Sequence, residues 1–368
     1  MNYDVVHVTQ PTEAGVGRYV AGLAAHQRNA GYEVAVICPP LGELPERLAS
    51  ADVPVFPWDA VRALGPATLQ AELRGLSYRF ANVLSPTAVV HLHSSKAGLV
   101  GRLLLRGSHR TVFQPHGFSF LAANGALERA VFVAWERVAQ TWASTIVAVS
   151  EGEANYGRRA GIRSMLTVPN GVPLRELRAA AEVREELGLP AAPTVVCLGR
   201  VSRQKGQDVL LRAWPRVLEC APTARLYLVG SGSEDLASIA HDLPSVVVRP
   251  YSRHPETWLE AADIVVVPSR WEGMPLVLLE AMAAERSVVA SDIPGIREVI
   301  GSRNVGALVA AENPRELGEA LCARLSALDL ARQEGAAGRA LIASTYSSLS
   351  AFGLVTEITL SSQPRSPL

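Results

Sequence analysis

The chain has 368 residues, 48% of them hydrophobic and 19% charged, with 35 Lys and Arg balanced by 35 Asp and Glu. That length exceeds one ordinary α/β domain and suits two. The zero net charge leaves no electrostatic footprint for nucleic acid, so an anionic ligand must be held by a local constellation. The four cysteines, Cys38, Cys197, Cys220 and Cys322, form neither a CxxC pair nor a Cys/His cluster of zinc spacing. Cys38 and Cys197 each end an apolar run and read as buried thiols, which suits a reducing cytoplasm. Met1–Gln10 lacks a signal-peptide pattern, and no apolar window reaches the ~18 residues of a membrane span. A cytoplasmic protein is expected, with a peripheral contact at the inner membrane face left open.

Short apolar runs at Asp4–Val8, Glu33–Cys38, Val89–Leu92, Thr111–Gln114, Thr145–Val149 and Met165–Val168 alternate with segments of 3.6-residue apolar spacing such as Tyr19–Asn29. This βαβ alternation predicts a parallel sheet covered on both faces. Pro173–Pro193 reads as a linker region carrying one charged helix over Arg175–Leu187. The pattern then restarts with strands at Thr194–Leu198, Arg225–Val229, Ser245–Val248, Ile264–Val267 and Ser287–Ala290. The expected organisation is a first doubly wound domain over residues 1–173, a second over 174–345, and a last helix near Tyr346–Leu360 followed by a frayed Ser/Pro-rich tail from Ser361. In open α/β sheets ligands bind beyond the carboxyl ends of strands, so the informative residues should follow strands.

Two such segments stand out in the second half. Thr194–Leu198 is followed by Gly199-Arg200-Val201-Ser202-Arg203-Gln204-Lys205-Gly206. The glycine opens the turn, and Arg200 and Lys205 place two cations on a strand-to-helix loop, which suits a diphosphate. Taken singly, both could be solvated surface charges. Ile264–Val267 is followed by Pro268-Ser269-Arg270-Trp271-Glu272-Gly273-Met274-Pro275-Leu276. Gly273 permits close backbone approach, Pro275 suits the first turn of a helix, and the free N–H groups there can hold a phosphate. Glu280 lies further along that apolar helix and needs a partner. A ribose diol would supply one, and so would an internal Arg.

The Glu272-x7-Glu280 spacing, with Gly199-Arg200-x4-Lys205-Gly206 upstream and Pro169-Asn170-Gly171-Val172 closing the first half, resembles the retaining glycosyltransferases of family 4. The resemblance runs from Val6 to about Tyr346. It implies the GT-B fold, in which two Rossmann-like, doubly wound parallel-sheet domains face a cleft. It also implies transfer of a sugar from a nucleotide-diphosphate donor, commonly a UDP-sugar, to a hydroxyl acceptor. In such enzymes Arg200 and Lys205 would neutralise the diphosphate, Glu272 would contact the donor sugar and Glu280 the ribose. Gly273, Met274, Pro275 and Leu276 would meet the phosphates, and Arg249 and Tyr251 would flank the base. Gly15 and Gly17, after the first strand, match the family's glycine-rich loop. They lack a full GxGxxG and the acidic residue of a dinucleotide site. His116, in Pro115-His116-Gly117-Phe118, corresponds to a histidine facing the donor sugar. No DxD motif occurs in the sequence, and neither a metal nor another cofactor is expected.

The acceptor side is less defined. Arg18, Ser94, Lys96 and Phe118 are the candidates, and a sugar, a lipid-linked molecule or a small natural-product core would each suit. Phe118, Phe120, Leu121, Val131, Phe132, Trp135 and Trp142, with Arg129 and Arg137, form either an amphipathic membrane surface or a core helix. The core reading is preferred because aromatic stripes at helical spacing pack inside. Two competing functions are a nucleotide-sugar 2-epimerase of the same fold and a non-catalytic nucleotide-sugar-binding partner. The joint presence of Arg200, Lys205, Glu272 and Glu280 favours transfer over both. Oligomeric state is not encoded in any pattern here.

Overall fold

Continuous runs of Val, Ile and Leu without polar alternation can be buried only where a strand is covered on both faces, and these runs form the middles of two parallel sheets. A computed structural model describes residues 2–63, 65–232 and 243–360, so the tail from Ser361 lies outside the described residues. The chain divides into two units. One comprises Met1–Asn170 together with the chain from Leu349 onward, and the other Gly171–Ser348.

The first unit holds β1 (Val5–Thr9), β2 (Val34–Cys38), β3 (Val55–Pro57), β4 (Val89–His93), β5 (Thr111–Gln114), β6 (Thr145–Ala148) and β7 (Met165–Thr167) in the order β3-β2-β1-β4-β5-β6-β7. Every pairing is parallel. The second unit holds β8 (Thr194–Leu198), β9 (Arg225–Val229), β10 (Val246–Arg249), β11 (Ile264–Val267), β12 (Ser287–Ser291) and β13 (Gly306–Val309), ordered β10-β9-β8-β11-β12-β13 and again parallel. This is the Rossmann order, with helices on both faces of each sheet. β3 and β13 have no counterpart among the sequence-predicted strands. Both are short edge strands, half-buried or exposed along most of their length, so their apolar signal is weak.

The linker helix is shorter than expected, covering Ala180–Glu186 instead of Arg175–Leu187. Tertiary ion pairs override helix propensity ahead of it. Arg178 reaches Glu260 at 2.9 Å and Glu186 at 2.7 Å, and Arg175 reaches Glu256 at 3.4 Å. The last helix, Ser348–Leu360, packs in the first unit. There Phe352 meets the Tyr19 ring edge-on at 5.4 Å and Arg110 donates to the Ile358 carbonyl.

The aromatic segment divides between core and surface. Phe118 and Phe120 are buried in the core of the first unit and stack at 4.9 Å. On helix Ala126–Ala139 the buried Glu136 takes a bidentate bond from Arg102, both contacts 2.9 Å, with the guanidinium 3.9 Å above the Phe113 ring. The outer face of the same helix leaves Leu127, Val131 and Val138 exposed. Cys38 and Cys197 are buried free thiols, their pKa pushed up to about 12 by burial. Cys220 and Cys322 are joined in a disulfide linking helices Gln207–Cys220 and Pro314–Leu325, a pairing that the expectation of a reducing compartment did not include. Among the described residues no helix is long and apolar enough to cross a membrane.

Candidate functional site

In the second sheet the connection order reverses between β8 and β11. In open parallel sheets ligands bind beyond the carboxyl ends of the strands at such a reversal. Both motif segments fall there. Gly199 leaves β8 at φ 146°, its N–H donating to the Val229 carbonyl at 3.0 Å. Lys205 Nζ stands 2.6 Å from Glu272 Oε1, which also accepts from Ser269 Oγ at 3.0 Å. Gln204 Nε2 donates to Glu272 Oε2 at 3.3 Å and to the Trp271 carbonyl at 3.1 Å. The buried Glu272 carboxylate therefore has three donors and a fixed orientation. The two cations of the loop are not equivalent. Lys205 is paired, whereas the half-buried Arg200 guanidinium has no hydrogen bond or ion pair among the described residues.

Sequence reasoning missed the strut that joins the two loops. The Arg270 amide donates to the Gln204 carbonyl at 2.8 Å. Its guanidinium bonds Asp208 at 2.8 and 2.7 Å, Glu312 at 2.8 Å and the Arg203 carbonyl at 2.7 Å. These bonds raise the Arg270 pKa, while Arg270 holds the Asp208 carboxyl below the usual range. Gly206, at φ 68°, caps helix Gln207–Cys220, and a Cβ there would overlap the Pro268 carbonyl. The glycine lets the helix start close onto the end of β11. Gly295 plays the same part under the Gly273 carbonyl, where any side chain would collide.

Gly273 and the buried Met274 lead into helix Leu276–Ala283. Pro275 caps that helix in an extended conformation, ψ 123°, and does not sit in its first turn as expected. Leu276 is the first helical residue, and Glu280 is half-buried within the helix. Arg249 ends the edge strand β10 and is exposed, and Tyr251 follows half-buried.

In the first unit the corresponding reversal lies between β1 and β4. Their register sets His7 beside His91 and Thr9 beside His93, so period-2 alternation puts three histidines on one face. His7 Nε2 is 2.8 Å from Gln27 Oε1, His7 Nδ1 is 3.0 Å from His93 Nε2, and His93 Nδ1 is 3.1 Å from His116 Nε2. His91 stacks on His93 at 4.0 Å, and no partner among the described residues stands within hydrogen-bond distance of its ring nitrogens. Burial keeps all four rings neutral. It lowers His7 to about 4 and His116 to about 3, and drives His91 and His93 well below the ordinary imidazole range.

His116 itself adopts a left-handed backbone, φ 52°. The turn it makes is tied down by the buried Glu153, whose carboxylate accepts from Gly117 N at 2.5 Å and Val149 N at 2.8 Å. Burial pushes Glu153 up to about 7 against those two bonds. Of these residues only His116 entered the sequence reading as a site candidate; Glu153, His7 and His91 did not. The signal for the row is His91-Leu92-His93 inside an otherwise apolar strand.

The remaining first-unit candidates are placed unevenly. Gly15, Gly17 and Arg18 belong to the first turns of helix Ala14–Asn29 and not to a loop, and Gly17 lets the backbone of Thr12 press close. Ser94 opens helix Ser94–Leu105 at φ 72°, its hydroxyl buried and unbonded. Lys96 and Phe118 are corrected. Lys96 Nζ turns inward to Glu72 at 2.9 Å and the Ala63 carbonyl at 2.8 Å, and Phe118 fills the core, so neither side chain is available to an acceptor.

His7, His91 and His93 are the group among the described residues whose spacing could hold a metal ion. The residues do not fit one. His91 and His93 are stacked, so their in-plane lone pairs run side by side instead of converging, and His7 and His93 already bond each other.

Residues 14–171 match a family model described as a glycosyl transferase 4-like domain, and residues 192–327 one described as glycosyl transferases group 1. A D-inositol 3-phosphate glycosyltransferase of Catenulispora acidiphila is 30% identical over 88% of this chain and 87% of its own. A phosphatidyl-myo-inositol mannosyltransferase of Mycobacterium leprae is 31% identical over 84% of this chain and 83% of its own. Among solved structures, a sucrose-phosphate synthase from Thermosynechococcus elongatus superposes with a TM-score of 0.82 at 21% identity, covering 96% and 97% of the two chains. The Anabaena protein HepE, solved in complex with UDP-glucose, superposes with a TM-score of 0.83 at 19% identity over 98% and 100%. These likenesses agree with two Rossmann-like parallel-sheet domains.

Proposed function

The chain belongs to the group 1 glycosyltransferases and is a transferase, and on that premise we propose that it moves a sugar, with retention, from a UDP-sugar to a hydroxyl acceptor. The observation that carries this reading is the Lys205–Glu272 pair at 2.6 Å, with Arg200 on the same loop and without a partner among the described residues, on the two loops that follow the neighbouring strands β8 and β11. An ammonium has three donors. Glu272 uses one of Lys205's, which leaves others for phosphate oxygens, while the guanidinium of Arg200 meets the second phosphate. Charge develops on the departing diphosphate, so fixed cations there lower the barrier. Glu272, held by Lys205, Ser269 and Gln204, accepts from hydroxyls of the donor sugar. Amides at Gly273, Met274 and Leu276 add to the phosphate cradle. Glu280 holds the ribose, Arg249 and Tyr251 flank the base, and His116 faces the sugar.

In this reading the cations are the protein's own and no metal is required, so transfer persists in excess EDTA; its loss would contradict that part. Two relatives carry inositol in their names, one as a phosphate and one as a lipid, which supports a polyol ring, free or lipid-linked, as acceptor. The test is a thermal-shift comparison of UDP, GDP, ADP and TDP with their sugar conjugates. A ligand of the native state raises the melting temperature. Stabilisation by UDP and its conjugates is expected. A response confined to another base would displace UDP, and no response at millimolar levels would remove the donor site.

A further inference from the structure

The row Gln27–His7–His93–His116 contains three contacts and three neutral rings, each ring with one N–H to give. Every contact needs one proton between its two atoms. Only two arrangements satisfy all three: every N–H points toward Gln27, or every N–H points away from it. A mixed arrangement leaves one pair of ring nitrogens about 3 Å apart with no proton or with two, stranding buried polar groups. The end of the row selects between the two, because a carbonyl oxygen can only accept and an amide nitrogen can only donate. Gln27 is fully buried and presents Oε1 to His7 Nε2. Its Nε2 has no partner among the described residues, so the facing of the amide is set against His7 alone.

We propose that Gln27 is a positioning residue which, through His7 and His93, fixes His116 as the Nε2–H tautomer and so presents Nδ1 of His116 as a bare acceptor. His7 Nε2–H donates to Gln27, His93 Nε2–H to His7 and His116 Nε2–H to His93. The nitrogen left over, Nδ1 of His116, makes no hydrogen bond among the described residues and carries a lone pair. A ligand hydroxyl then donates to His116 and cannot accept from it. The chemical class selected is a polyol with a free O–H directed at that nitrogen. Had the amide been turned over, Nδ1 would carry the proton and favour an ether, carbonyl or phosphate oxygen instead. The catalytic consequence rests on the reading of His116 as the residue facing the donor sugar; the tautomer assignment does not.

The experiment is long-range 15N NMR of the histidine rings at pH 7.5 in the full chain, for wild type, Gln27→Met and His7→Phe, with steady-state kinetics alongside. In wild type, His7, His93 and His116 are expected to carry their protons on Nε2. Both variants cut the row at different points and are expected to divide His116 between tautomers. The accompanying fall in kcat is about tenfold, the size of one ordinary hydrogen bond withdrawn, with a smaller change in the donor KM. A wild-type proton on Nδ1 of His116 overturns the proposal even if neither variant folds, and so does an unmoved His116 tautomer in two folded variants. A tautomer that moves while kcat stays within about twofold leaves the relay standing and removes His116 from the donor sugar.

Discussion

Acidification from pH 7.5 to 5 should destabilise the chain through its buried histidines. His7 and His116 titrate near 4 and 3 in the fold against 6.5 when exposed, so below 6.5 the unfolded chain binds protons that the native state refuses. Stability from such groups is present above 6.5 and is lost as pH falls, at about 1.4 kcal/mol per residue per unit once well below it. At pH 5 each has withdrawn about 2 kcal/mol, or about 4 kcal/mol for the two. Glu153 works the other way. Raised to about 7 from 4.5, it weakens the fold when ionised, and it returns about 2 kcal/mol on protonation between pH 7.5 and 5. His91 and His93 shift in the same direction as His7 and add to the loss. The net cost is therefore at least about 2 kcal/mol, against a total stability of about 5–15 kcal/mol. Urea unfolding followed by circular dichroism at pH 7.5, 6.5, 5.5 and 5.0 measures it. His91→Phe should give a shallower pH dependence, because it removes one of the buried imidazoles whose pKa burial lowers, while a phenyl ring keeps the stack on His93. Stability that is flat or rising toward pH 5, or an unchanged slope in the variant, would refute the reasoning.

Lys205→Ala should lower kcat/KM by ~10²–10³-fold, the loss of one fixed group from a developing charge of about 2–4 kcal/mol. Turnover near wild type would take Lys205 out of the donor site. Gly206→Ala should cost more stability than Gly31→Ala, although both glycines have positive φ, 68° and 92°. Gly31 has open space around its Cβ position, so only the backbone penalty of about 1–2 kcal/mol applies. Gly206→Ala also drives the helix start off the Pro268 carbonyl and should weaken nucleotide binding. Equal losses in chemical denaturation would mean that the close approach at Gly206 is not needed.

The central strands were legible because burial on both faces writes itself as unbroken Val, Ile and Leu, as at Val34–Cys38 and Ile264–Val267. Edge strands were not, since β13 begins on Gly306 and is only partly covered. The same split runs through the candidate site. Arg200, Lys205, Glu272 and Gly273 follow strands and could be picked out by position. Lys96 also follows a strand, yet it faces inward to Glu72, a residue 24 positions away in a different helix. Nothing local distinguishes a cation left half-buried on a loop, as Arg200 is, from one turned inward onto a buried carboxylate.

The partnerships behind the chosen residues were hidden for a related reason. Gln204, Ser269 and Arg270 look like ordinary loop residues until β8 and β11 become neighbours, and that adjacency comes only from the reversal of strand order. Once they are neighbours, a cation and a carboxylate assigned separate tasks by their motifs become one unit: Lys205 orients Glu272, and Glu272 holds Lys205. Removing either therefore disturbs both. Lys205→Ala combined with Glu272→Gln should cost less than the sum of the two single changes in kcat/KM, because residues acting as a unit are not additive. Simple additivity would mean that the 2.6 Å contact does not persist when the donor is bound.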